Sequence, residues 1–123
     1  IVSDHTPEDE ESKRLPFAQA ATGAIGIETL LPLALEMYHN ESLPLNKIIE
    51  TLTINPSKIL KIDKGTLKPG STADICVLDL EAPWVVKADL LKSKSKNTAI
   101  EGRKLQGKIL MTFLNGELVF NQK

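Results

Sequence analysis

Ser3-Asp4-His5 sets a hydroxyl, a carboxylate and an imidazole on consecutive residues, after the β-branched pair Ile1-Val2 and just before Pro7. The pattern reads as a strand running into a loop, and barrel enzymes keep their chemistry at the C-terminal ends of strands. Asp4 there could ligate a hard or borderline cation and also take a proton as general base; equally, it could cap a turn beside Pro7. His5 could ligate a metal, bond to a nearby carboxylate or serve structurally. Lys13 and Arg14 could bind an anionic substrate or simply face water. Gly23 and Gly26 read as close-packing backbone positions. His39, at a helix end, reads as a surface residue near the negative end of the helix dipole. The sequence has no His-x-His, no Cys-x-x-Cys and no glycine-rich phosphate loop to complete a site around Asp4.

The elements that must position these groups fall into two halves. Residues 1–3 read as a strand end and 4–22 as a long loop, because Glu8 to Arg14 carries charge without an apolar stripe and Pro7 and Pro16 punctuate it. A helix is predicted over Ala24–Tyr38, where Ile27, Leu30, Leu31, Ala34, Leu35 and Tyr38 follow the 3.6-residue period. Pro32 should kink that helix or begin its regular part. Leu45, Ile48, Ile49 and Leu52 mark a second helix from Pro44 to Thr53. A short third helix is predicted with Asn55 as cap and Pro56 in the first position. Strands are predicted at Asp74–Leu80, Trp84–Val86, Gly107–Leu114 and Glu117–Phe120, the last two joined by the hairpin signal Asn115-Gly116. Lys92 to Asn97 reads as a polar basic loop.

The 123 residues suffice for one compact unit with a core, and a 41% hydrophobic, 25% charged composition is that of a globular protein. A net charge of −1 argues against nucleic-acid or anionic-membrane partners. The single cysteine, Cys76, cannot form an internal disulfide and fits a reducing cytoplasm. No apolar run approaches the ~18 residues of a membrane span. With a strand at its first residue and no room for earlier strands, the chain is expected to be the tail of a larger enzyme.

Several blocks together carry a family resemblance. Ser3-Asp4-His5-Thr6-Pro7, Asp9 to Arg14, Pro16 to Ala20 and Gly23 to Leu31 resemble bacterial dihydroorotase of the class I type. Asn55 to Leu60 and Gly65 to Asp74 resemble cyclic-amide hydrolases of the amidohydrolase superfamily more broadly. Pro83 to Val86, Ser93-Lys94-Ser95-Lys96-Asn97-Thr98 and Leu105 to Gly107 extend the similarity to essentially the whole chain.

The resemblance implies an α/β fold: the C-terminal fragment of a TIM-like (β/α)8 barrel, followed by the C-terminal strands of a small composite β domain. Residues 1–62 would be the end of strand eight with the closing helices, and 63–123 the β-domain share. It implies a cytoplasmic, zinc-dependent enzyme, with one or two ions, that interconverts N-carbamoyl-L-aspartate and L-dihydroorotate in pyrimidine biosynthesis. Asp4 would be the strand-eight metal ligand and proton shuttle, passing a proton from the activated nucleophile to the leaving amide nitrogen. The remaining ligands would lie upstream, so the 123 residues alone should be inactive. The partners implied are the small substrate, the N-terminal part of the same enzyme, and a homodimer or an aspartate transcarbamoylase complex.

Three positions depart from the family's pattern. A substrate-contacting His of many members is Glu8 here, which would repel a carboxylate-bearing substrate unless it points away or is protonated. A substrate-contacting Phe-Gly pair is Thr22-Gly23. Asn-Thr-Pro-Phe is Asn97-Thr98-Ala99-Ile100, a departure with no evident catalytic consequence. The alternatives are an allantoinase or dihydropyrimidinase type of cyclic-amide hydrolase, and a non-catalytic dihydroorotase-like subunit scaffolding aspartate transcarbamoylase, to which Glu8 points.

Overall fold

A computed structural model describes residues 1–122. Its β half is an antiparallel meander of β1 (Ile75–Val85), β2 (Lys104–Leu114) and β3 (Glu117–Asn121), in that spatial order. Its helices are α1 (Glu10–Lys13), α2 (Leu30–His39), α3 (Leu45–Leu52) and α4 (Ile54–Leu60). α2 packs across β2 and against α3, and α3 against α4. The result is a small mixed α/β unit around a three-stranded sheet. Among the described residues, no helix is long and apolar enough to cross a membrane.

The core joins the two halves. Ile25 buries itself with Val86, Leu91 and Leu105, and Leu33, Trp84 and Ile100 pack around them. The Trp84 indole N–H donates to the Gly107 carbonyl at 3.1 Å, so the polar atom of this half-buried ring is satisfied. Leu35 on α2 and Ile48 on α3 are fully buried.

The hairpin forms as its residues require. Leu114 pairs with Glu117, leaving Asn115 and Gly116 as the two-residue turn with φ of 52° and 84°. Asn-Gly accepts positive φ at both positions at low cost. The turn is tied down from outside, because the Asp74 carboxylate accepts the Asn115 N–H at 2.9 Å and the Lys64 ammonium at 2.5 Å. The Asn115 hydrogen bond first, and the Lys64 contact second, hold the Asp74 carboxyl below its ordinary value of 3.8. A depressed folded-state pKa contributes stability above the ordinary value, and that contribution is lost as pH falls through the folded one. Asp74→Asn is therefore expected to lower the melting temperature near about pH 7 and to narrow the gap to the wild type near about pH 3, as read from melts at both pH values.

Five differences from the sequence expectations are found here. The strand expected at residues 1–3 does not form; a single parallel bridge follows it, between His5 and Ala24, and a strand exists only where a neighbour takes its hydrogen bonds. The two strands expected at 74–80 and 84–86 are one, β1. Register shifts at Val77/Leu78 and between Asp79 and Pro83 absorb the irregularity. Asp79 Oδ1 accepts the N–H groups of Glu81 and Ala82, both at 3.0 Å, and Pro83 sits at a bulge, where its missing donor is tolerated.

The charged loop contains a helical turn, α1, begun by Asp9, whose carboxylate accepts the Ser12 N–H at 2.7 Å. In α4, Ile54 is the first helical residue, so Asn55 is inside the helix rather than its cap and Pro56 falls third. The first-turn N–H groups have no intrahelical partner, so proline is tolerated there. His39 is also not a surface group. Its side chain is only 17% exposed, beside Tyr38, with Nδ1 4.0 Å from Glu81.

Candidate functional site

The backbone around Asp4 is built by two segments lying side by side. Thr6 N–H donates to the Ala24 carbonyl at 2.9 Å, next to the His5–Ala24 bridge. His5 Nδ1 accepts the N–H groups of Gly26 at 3.1 Å and Ile27 at 3.4 Å. Those two donors are thereby spent on an imidazole, and α2 starts at Leu30 rather than at Ala24. His5 thus holds the 24–27 segment, and its Nδ1 lone pair is committed to the backbone rather than to a cation. His5→Ala, which leaves the partly buried Gly26 N–H and the exposed Ile27 N–H without this acceptor, should cost about 1 kcal/mol. A melting curve on the protein with and without the substitution reads that loss.

The glycines are required by proximity. A Cβ on Gly26 would lie 2.6 Å from the Ser3 carbonyl oxygen. One on Gly23 would lie 2.6 Å from Thr6 Cγ2, and Gly23 has φ of +126°. Both positions are close-packed, as their placement in the sequence suggests.

Asp4 has a φ of 46°, unusual outside glycine. Its side chain is exposed, and among the described residues its carboxylate accepts no hydrogen bond, while Thr6 Oγ1 donates to its main-chain carbonyl at 3.2 Å. The backbone is thus held and the carboxylate left free. Asp4 and Gly23 line the same hollow of about 590 Å³, together with Ile25, Leu30, Leu33 and Met37. Asp4 is the one ionisable side chain in that lining. The rest is almost wholly apolar, the chemistry of a packing surface more than of an anion site.

Glu8 lies elsewhere. It lines a polar cleft of about 620 Å³ with Lys13, Lys94, Lys96 and Asn97. Three lysines in the same cleft oppose the repulsion that Glu8 alone would exert on an anion. Thr22 is exposed and lines neither hollow. Asp4 and Gly23 thus line one hollow and Glu8 the neighbouring cleft, with the Glu8 and Gly23 backbones tied through Asn97, while Thr22 lines neither.

Lys13, a candidate anion binder, instead spends its ammonium on the carbonyls of Ala21 at 2.7 Å and Gly23 at 3.1 Å. Two residues outside the sequence candidates also hold the site. Glu28 accepts the N–H groups of Lys92 and Ser93 at 2.7 Å and 3.1 Å, which docks the 92–98 loop. Asn97 from that loop reaches the Asp4 segment. No spacing rule marks either residue, since each acts on backbone far away in sequence. The string Ser93 to Thr98 is the only signal that points to this loop.

A lone anionic oxygen donor suits a hard or borderline cation as one ligand of a set. Among the described residues no three His, Cys, Asp or Glu side chains converge to hold a metal. Asp4 fits a metal site as a single contributor, and other donors must complete it.

The amidohydrolase family profile matches residues 2–119. Dihydroorotase of Ehrlichia chaffeensis is 42% identical over 120 residues, which is 98% of this chain and 27% of the relative. Dihydroorotase of Geobacter metallireducens is 43% identical over 122 residues, 99% of this chain and 29% of the relative. The chain thus spans less than a third of the curated relatives it matches. The structure of L-hydantoinase (dihydropyrimidinase) from Arthrobacter aurescens superposes with a TM-score of 0.78 at 34% identity, over 85% of this chain and 24% of that one.

Proposed function

The chain belongs to the amidohydrolase family, and from that premise we propose that it is the C-terminal part of a cytoplasmic, zinc-dependent dihydroorotase. In this reading residues 1–62 close the (β/α)8 barrel and 63–123 are the C-terminal share of a composite β domain. The observation that carries the reading is the free, exposed carboxylate of Asp4 on a backbone anchored at His5 and Thr6, within a chain about 40% identical to dihydroorotases throughout its length.

A zinc ion bound through Asp4 and donors from the rest of the enzyme would polarise the ring amide and activate water. Asp4 would do the proton work. In ring opening the water oxygen bonds to the ring amide carbon of L-dihydroorotate, and Asp4 takes the water's proton. The carbon–nitrogen bond then breaks and Asp4 delivers the proton to the nitrogen, giving N-carbamoyl-L-aspartate; cyclisation is the reverse. Glu8, Thr22 and Gly23 are the substrate-side positions. Lys94, which shares the cleft with Glu8, would supply positive charge for a substrate bearing carboxylates, Lys13 and Lys96 being held by main-chain carbonyls.

Exposed apolar side chains support a unit that is covered by further protein. Phe17 is 100% exposed, Ile59 80% and Leu67 78%, with Leu60 and Leu90 also largely bare, surface that further protein would cover. The complete polypeptide is expected to retain zinc after dialysis and to turn over L-dihydroorotate. The isolated 123 residues should retain none, turn over nothing and self-associate, as measured by metal analysis, assay and light scattering. A zinc-free complete protein that is inactive with L-dihydroorotate even after zinc is added back would refute the proposal. The 34% identity to an L-hydantoinase favours a second reading, a hydantoinase or dihydropyrimidinase type of cyclic-amide hydrolase, which keeps the role of Asp4 and changes the substrate.

A further inference from the structure

Resting on the dihydroorotase reading, we infer that Asn97 is a positioning residue for substrate binding, whose carboxamide clamps Glu8 to Gly23. An asparagine amide has two donor hydrogens and two acceptor lone pairs, and all four are engaged. Oδ1 accepts the Glu8 backbone N–H at 3.3 Å and the Ser95 hydroxyl. Nδ2 donates to the carbonyls of Thr6 at 3.4 Å and Gly23 at 3.3 Å. The Asn97 main-chain carbonyl accepts the Ile25 N–H at 3.3 Å, and the Ser95 hydroxyl also meets the Glu8 carbonyl.

The bonds from Asn97 to the backbone, at 3.3–3.4 Å, are at the long end of the range and individually weak. Their weight lies in convergence. One side chain from the β half bridges both segments of the site, on the far side of Pro7, which has no N–H to give.

The clamp meets the Asp4 segment through the Thr6 carbonyl, but other bonds hold Asp4 without it. The Asp4 end of the segment is held by the His5–Ala24 bridge, the Thr6–Ala24 hydrogen bond and Thr6 Oγ1 on the Asp4 carbonyl. Removing the Asn97 amide therefore frees Glu8 from Gly23 while Asp4 keeps its place. A residue that serves the substrate-side backbone and not the proton shuttle leaves a particular kinetic signature, a raised KM with kcat kept. A general loss of structure would lower both activity and metal content.

The test uses the complete enzyme with Asn97→Ala. A second variant, Asn97→Asp, keeps the size but turns a carboxylate toward the Thr6 and Gly23 carbonyls, and it carries the same kinetic test should Asn97→Ala fold poorly. KM and kcat for L-dihydroorotate are measured together with amide hydrogen exchange in the peptide containing Glu8. The expected result is a KM raised about tenfold or more, kcat within about threefold and zinc unchanged in both variants. Exchange at Glu8 should be about tenfold faster in Asn97→Ala. Unchanged KM and unchanged exchange would overturn the inference, as would a lost kcat with KM unaltered. A wild-type enzyme inert toward L-dihydroorotate would instead sink the functional reading, and the Glu8 exchange rate would then decide the clamp by itself.

Discussion

Asp4→Asn is expected to lower kcat for L-dihydroorotate by about a thousandfold in the complete enzyme, the scale of losing a positioned general base. The substitution separates chemistry from structure unusually well. Asp4 sits at φ of 46°, a region that Asn tolerates at least as readily as Asp. Its carboxylate accepts no hydrogen bond among the described residues, so Asn leaves no donor stranded. The Thr6 hydroxyl reaches only the main-chain carbonyl of Asp4, which Asn retains. The backbone should therefore stay in place while the group that accepts the proton and donates an anionic oxygen to zinc is gone. Zinc content should fall along with turnover, and the melting temperature of the metal-free protein should stay within about a degree of wild type. A metal-free melting temperature several degrees lower would assign Asp4 a structural role as a turn cap.

Gly23→Ala is expected to have the second-largest effect, for steric reasons. The added Cβ would meet Thr6 Cγ2 at 2.6 Å, Thr6 Cβ at 2.7 Å and the Thr6 carbonyl oxygen at 2.9 Å, at a φ of +126° that L side chains rarely adopt. Strain of this kind costs about 1–3 kcal/mol, and the relief available is to push the 4–8 segment away from 23–25. A displacement of about 1 Å at reacting groups can cost about a hundredfold in rate, so kcat/KM should fall on that scale. Trimming Thr6 to Ala should not restore it, because the Cβ and the main-chain carbonyl remain. Thr22→Ala next door tests the proposed substrate-side role of Thr22 itself. Thr22 is exposed and lines neither hollow, so a loss there as large as at Gly23 would point to direct substrate contact instead of steric placement.

What the sequence made legible was whatever local rules govern. Asn115-Gly116 dictates its turn because the residues themselves favour positive φ. Leu45, Ile48, Ile49 and Leu52 announce α3 through their period, and the structure buries Ile48 completely. Asp4 was a candidate from its place after a β-branched pair, but the residues alone left a turn cap beside Pro7 equally open, and the family resemblance decided between them.

What stayed hidden depends on contacts far along the chain. His5 takes the N–H groups of Gly26 and Ile27 across 21 and 22 residues, just ahead of α2; periodicity over Ala24–Tyr38 cannot register such a partner. The continuity of β1 rests on Asp79 folding its carboxylate onto Glu81 and Ala82, which turns an apparent break into a bulge. Asn97 was legible only as part of a polar string, because its role exists once residues 89 and 91 positions away are brought to it.

The site residues divide in the same way. Asp4 and Gly23 converge because they lie on adjacent segments tied by the His5–Ala24 bridge. Glu8 lies past Pro7 and turns to the lysine-lined cleft. The sequence could flag the charge of Glu8 but not the lysines that surround it.

Substrate preference of the complete enzyme tests the central claim most directly. Steady-state kcat/KM would be compared for L-dihydroorotate, dihydrouracil, hydantoin and allantoin with zinc-loaded protein. The proposal predicts L-dihydroorotate ahead of each of the others by about a hundredfold or more, the discrimination that buried recognition of a carboxylate can supply. A protein that hydrolyses dihydrouracil, hydantoin or allantoin in preference to L-dihydroorotate would contradict it and make the chain part of a different cyclic-amide hydrolase.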